Sequence, residues 1–166
     1  AIVSGLVLNF LSNPGDTVSM MRERLHPAGI VAAYVWDYAK GMEFLRYFWE
    51  EAVASDPRAV ELDEGRRFPL CGTAELASLF RASGLTQVET HPLEIPTEFA
   101  TFDDYWTPFL AGTGPAPAYI ATLDDTDRAA LRDAVRARQG AAVAQARALV
   151  HRAAGAWPDV VWQTLE

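Results

Sequence analysis

Cysteine occurs once in this chain, at Cys71, so no disulfide can close within it. A reducing cytoplasm suits such a sequence. Histidine is scarce too. His26, His91 and His151 stand apart, with no Cys or His at ligand spacing, so no metal site is expected. Basic residues are outnumbered: 14 Lys and Arg against 22 Asp and Glu leave a net charge of −8. That argues against nucleic acid and membrane as partners, because both need a basic face. The one basic stretch, residues 128–152, is interleaved with acidic residues and reads as a solvated helix face. No uncharged apolar run reaches the roughly 18 residues of a membrane span. The first segment has no basic region ahead of it and does not read as a signal peptide. Internal repeats, low-complexity tracts and a long Pro/Gly linker are all missing.

What is there is globular in kind. The 166 residues are 50% hydrophobic and 22% charged, which fits a single domain over 1–166. Residues 1–10, AIVSGLVLNF, form a nearly continuous apolar run. It reads as a strand buried on both faces of a parallel sheet. SNPGD then breaks the strand, and Asp16 reads as the N-cap of a helix carrying Val18, Met21 and Leu25. Pro27 and Gly29 stop it, and IVAAYVW follows as a second strand ending at Asp37. The first 40 residues therefore predict a βαβ unit with parallel strands. Residues 41–85 and 97–139 read mainly as helical cover and lid, with DEGRRFPLCG a loop. Thr73 and Thr101 read as helix caps, and Gly84 and Gly140 as stops. Residues 86–96 read as an edge strand, which Pro92 confines to a margin; AAVAQARALVHRAA, at 141–154, has alanine-rich helix propensity but also allows a strand. The tail AWPDVVWQTLE, residues 156–166, has no assignment. The fold class is α/β: two parallel strands, one or two later antiparallel strands, and helices on both faces.

Open parallel sheets bind ligands beyond the carboxyl ends of their strands. Those ends read as Asn9-Phe10 and Trp36-Asp37-Tyr38. Capping and turn formation explain Asn9 and Asp37 equally well. Aromatics cluster at residues 36–49 and 99–109, as core or as a lid over an apolar substrate. GTGPAP at 112–117 is a loop, since it lacks the full glycine pattern of a phosphate site and follows no strand. DDTD and LDEG lack the alternation of a calcium loop and read as caps and solvated turns. No G-x-S-x-G elbow is present, and Cys71 has no nucleophile signature.

The run SGLVLNFLSNP…MMRERLHPAGIVAAYVWDYAKGM resembles class I S-adenosylmethionine-dependent methyltransferases. It is similar to their fourth strand, the following helix, an R-x-L-x-P-G-G turn and the fifth strand. Here the turn is Arg24-Leu25-His26-Pro27-Ala28-Gly29, with Ala28 where a glycine is usual. WDYAKGMEFLRYFWEEA, LDEGRRFPLC and FDDYWTPFLAGTGPAPAYIATL resemble a bacterial subgroup of that family. ARALVHR at 146–152 is similar to its final strand, with Leu149 in place of a Trp, and this resemblance implies an edge strand over 142–151. The family's glycine-rich turn and the acidic residue ending its second strand have no counterpart here. They belong to three earlier βα units of about 30 residues each.

The resemblance implies the C-terminal part of a Rossmann-like methyltransferase acting on a small molecule. It implies Leu6, Asn9 and Phe10 near S-adenosylmethionine. It places Trp36, Tyr38, Trp49, Tyr105 and Trp106 around the substrate, with Asp37 as general base. The chain alone is expected not to bind the cofactor. The alternative is a non-catalytic assembly module: a first strand with a bare edge invites pairing with a second copy or with a missing N-terminal half. A nicotinamide-dependent oxidoreductase would need a glycine fingerprint that the sequence lacks.

Overall fold

The computed structural model describes residues 1–139 and the strand at 146–156. Residues 140–145, with the stop expected at Gly140, and the tail from residue 157 lie outside the described residues. The chain divides into two compact units. Among the described residues, one comprises residues 1–36, 69–93 and 150–156, and the other comprises residues 37–68, 94–139 and 146–149.

The first unit is built on β1 (Ile2–Gly5), α1 (Pro14–Glu23) and β2 (Ile30–Trp36). β1 and β2 are parallel, with Ile2 opposite Val31 and Gly5 opposite Tyr34. The βαβ unit is therefore present, but its first strand is shorter than the apolar run. Leu6 takes a φ of 55°, a left-handed value that a bulky side chain adopts at a cost, and the strand ends there. Its N–H still donates to the Tyr34 carbonyl at 2.8 Å. The rest of the run coils into a 3-10 turn, Leu8–Phe10. Asn9 and Phe10 thus lie beyond the strand, not at its end.

Burial on both faces is corrected as well. β2 alternates, with Val31, Ala33 and Val35 inward and Tyr34 exposed. Val3 on β1 is 64% exposed. One face packs with Val18 of α1 and with Leu76 and Phe80 of α4 (Thr73–Ala82); Val3 and Tyr34, on the other face, are exposed.

Two helix caps differ from expectation. Asn13 is the N-cap of α1, with Pro14 in the first turn, where its missing N–H costs nothing. Asp16 sits within the first turn, where its charge complements the helix dipole. Gly72, not Thr73, caps α4. The stop at Gly84 is as expected and is a full Schellman motif: Leu85 N–H donates to Phe80 O, and Gly84 N–H to Arg81 O. Gly84 supplies the required positive φ of 82°.

β3 (Thr86–Thr97) and β4 (Ala146–Ala156) complete a sheet of order β1-β2-β4-β3. β4 runs antiparallel to β2, with Ile30 opposite Ala156 and Trp36 opposite Val150. Of the edge strand expected over 142–151, residues 142–145 lie outside the described residues; the described part lies inside the sheet, between β2 and β3. β3 takes the margin opposite β1, where Pro92 withholds no ladder bond from a central strand.

The second unit is helical. It holds α2 (Glu43–Ser55), α3 (Glu64–Arg67), α5 (Phe102–Ala111), α6 (Pro115–Thr122) and α7 (Asp125–Gln139). Thr101 opens α5 with a reciprocal capping box. Its hydroxyl accepts from Asp104 N–H at 3.1 Å, and the Asp104 carboxylate accepts from Thr101 N–H at 3.0 Å. The 112–117 stretch is not all loop, because α6 begins at Pro115. Gly114 caps it at a φ of 122° that only glycine adopts readily. DEGRRFPLCG likewise holds α3 and a 3-10 turn, Pro69–Cys71. The core gathers Phe48, Trp49, Tyr105, Trp106, Phe109 and Tyr119, with Leu131 and Val135 from α7.

Candidate functional site

The turn after β1 is the first place where the structure departs from ordinary packing. Asn9 is buried at 7% exposure, yet neither Oδ1 nor Nδ2 has a hydrogen-bond partner among the described residues. A buried amide left unmatched costs roughly 1–3 kcal/mol per group. Leu6, three residues earlier, carries the left-handed backbone noted above. Strain and unmet polarity concentrate where a protein must meet a ligand. Leu6 is half-buried, and Phe10 is exposed at 54%, so Asn9 and Phe10 differ in environment although adjacent. Trp36, which closes β2 in the same unit, is half-buried.

Asp37 opens the second unit and organises the loop it begins. Its Oδ1 accepts from Ala39 N–H at 3.1 Å and Lys40 N–H at 2.9 Å. Its carbonyl accepts from Gly41 N–H at 3.0 Å and Met42 N–H at 2.8 Å. The residue is 4% exposed. Tyr38 is half-buried, with its ring 5.2 Å from that of Phe68.

Trp49, Tyr105 and Trp106 are brought together, but as core. Phe48 stacks on Phe109 at 4.8 Å and meets Trp49 edge-on at 5.1 Å. Trp106 stacks on Phe102 at 6.0 Å, and the Tyr105 hydroxyl donates to the Phe44 carbonyl at 2.7 Å. Trp106 also borders a groove of about 820 Å³ among α5, α6 and α7, beside Leu110 and Ile120. Ion pairs line its rim: Arg132 with Asp103 at 2.6 Å, and Arg128 with Asp125 at 3.1 Å.

No protein-family model and no curated protein matches the chain. Among solved structures, it is similar to phospholethanolamine N-methyltransferase 2 of Haemonchus contortus, solved with phosphomonomethylethanolamine and S-adenosylhomocysteine. The identity is 12% and the TM-score 0.43; the match covers 95% of this chain and 33% of that one. The chain thus spans about a third of the length of that structure.

Reading LDEG as a solvated cap overlooks the buried charges of the second unit. Asp63 does cap α3, accepting from Gly65 N–H at 2.8 Å. It is also buried and receives both terminal nitrogens of Arg46, one of them at 2.9 Å. Glu64 beside it accepts the indole N–H of Trp49. Burial holds the Glu64 carboxyl above the ordinary carboxylate range, against the opposing bonds from its own backbone and from Trp49. The overlooked signal was Arg46. An arginine in a helix otherwise apolar nearly all round must find a carboxylate, and the next acidic turn supplies it. Among the described residues, no group of three or more His, Cys, Asp or Glu could hold a metal, and no helix is long and apolar enough to cross a membrane.

Proposed function

We propose that this chain forms the C-terminal portion of a class I S-adenosylmethionine-dependent methyltransferase acting on a small molecule. The observation that carries this reading is Asn9, a buried amide with both polar atoms unmatched, in the turn that follows a parallel strand. That is where an open α/β sheet receives its ligand. The parallel βαβ unit and the turn at Pro27-Ala28-Gly29 fit the sequence resemblance. Ala28, standing where that family has a glycine, takes a glycine-like φ of 67°.

The residues present fit one flank of the cofactor. A neutral amide offers two donors and an acceptor to a polar, zwitterionic molecule. Bound S-adenosylmethionine supplies an electrophilic methyl group on a sulfonium. Leu6, Asn9 and Phe10 would hold its edge. Asp37 would take the proton of the acceptor, with Trp36 and Tyr38 around the substrate. The resemblance puts Trp49, Tyr105 and Trp106 around the substrate as well; here they belong to the core of the second unit. Transfer of this kind depends chiefly on positioning, so a sparse set of polar residues suffices. The chain lacks the glycine-rich turn, so by itself it binds no cofactor at micromolar concentration.

The test is ultraviolet cross-linking of methyl-labelled S-adenosylmethionine to the protein expressed from the full reading frame containing this chain. Label mapping to residues 6–10 supports the reading; label absent from this chain overturns it. A second reading, pairing between chains, is favoured by the β1 margin with its exposed Val3, Val7 and Phe10. Sedimentation at high concentration separates the two, since a strictly monomeric profile removes the pairing.

A further inference from the structure

We infer that Arg46, Asp63 and Gly65 are positioning residues for the loop at residues 37–40, the segment carrying the candidate base. The inference rests on the methyltransferase reading for the meaning of Asp37, but not for its geometry. Asp63 does two things with one carboxylate: it caps α3 through Gly65 N–H and takes a two-pronged bond from Arg46 on α2. The guanidinium fork and the carboxylate match in shape, which fixes orientation as well as distance. α3 is thereby fastened to α2.

Through α3 the same pair reaches the loop. Gly65 lies so close that a Cβ added there would stand 3.0 Å from the Tyr38 carbonyl oxygen, from Ala39 Cα and from Arg46 Nη1. Phe68, just past α3, sets its ring against Tyr38. Backbone and ring of the loop therefore both rest on α3. Asp37 in turn holds the Ala39 and Lys40 amides. Those two amides report directly on whether the loop keeps its shape.

The experiment is residue-resolved amide hydrogen exchange on the full chain, comparing wild type with Asp63→Asn, Arg46→Lys and Gly65→Ala. Asparagine keeps the cap acceptor and removes the charge; lysine keeps the charge and removes the fork. In Asp63→Asn and Gly65→Ala, exchange at Ala39 and Lys40 is expected to rise about tenfold while the amides of α2 and α7 keep their protection. Arg46→Lys is expected to fall between these and wild type. Unchanged exchange at Ala39 and Lys40, or an equal rise through α2 and α7, would overturn the inference. Should Asp63→Asn fail to fold, the Gly65 and Arg46 variants decide alone. Failure here leaves the cofactor cross-linking result intact, and failure of that cross-link leaves the positioning intact.

Discussion

Replacing Ala28 with glycine is expected to stabilise the protein, against the general rule that glycine weakens a chain. Gly29 N–H donates to the His26 carbonyl at 2.8 Å, closing a turn with Pro27 second and Ala28 third. Proline second and a positive φ third is the type II pattern, which favours glycine at the third place. Ala28 holds that place at a φ of 67°. A left-handed conformation costs an L-residue roughly 1–2 kcal/mol. Glycine removes that cost but adds about 0.4–1 kcal/mol of unfolded-state entropy. Ala28 is exposed, so its methyl group contributes little packing. The net gain is about 0.5–1 kcal/mol. With a urea slope of about 2 kcal/mol/M, the midpoint moves up by about 0.3–0.5 M at unchanged slope. The melting temperature rises by roughly 2–3 °C for a chain of this size. Urea denaturation followed by circular dichroism is the assay. A midpoint that stays or falls would refute the assignment of strain to Ala28.

Two further substitutions probe the second unit. Phe48→Ala removes a fully buried ring that stacks on Phe109, and should cost about 3–5 kcal/mol; a loss under about 1.5 kcal/mol by denaturant titration would show the site collapsing around the gap. Glu64→Gln tests the buried carboxyl. Because its pKa is raised, the folded chain holds that proton more tightly than the unfolded chain does. Its contribution to stability is complete below the ordinary value of 4.5 and is lost as pH rises through the folded value. Glutamine keeps an acceptor for Trp49 and does not titrate, so the variant should melt higher than wild type at pH 8 and lose that advantage by pH 4. An equal difference at both pH values would contradict the assignment.

Much of the architecture was legible because burial writes itself into spacing. The βαβ unit, α2, α7 and the Thr101 cap follow from periodicity and capping chemistry. The errors have physical causes. An apolar run has no internal mark for the residue that leaves the sheet, so β1 was read through Leu6 to Phe10. Pro115 reads as a breaker in a glycine-rich stretch, although proline also starts helices. β4 pairs with β2 across more than 100 residues of sequence, a distance at which local pattern cannot fix strand order. The candidate site was legible only in part. Asn9 and Asp37 stood out as polar residues after apolar runs, whereas Asp63 looked like an ordinary cap because its second partner, Arg46, lies 17 residues away.

The central claim is that the turn after β1 meets the cofactor. Calorimetric titration of S-adenosylmethionine into the protein expressed from the full reading frame, as wild type and as Asn9→Ala, tests it most directly. The account predicts a loss of about tenfold in affinity, the worth of one or two hydrogen bonds, with the melting temperature unchanged or higher because an unmatched buried amide has gone. Unchanged affinity, or a fall in melting temperature that accounts for the loss, would contradict it.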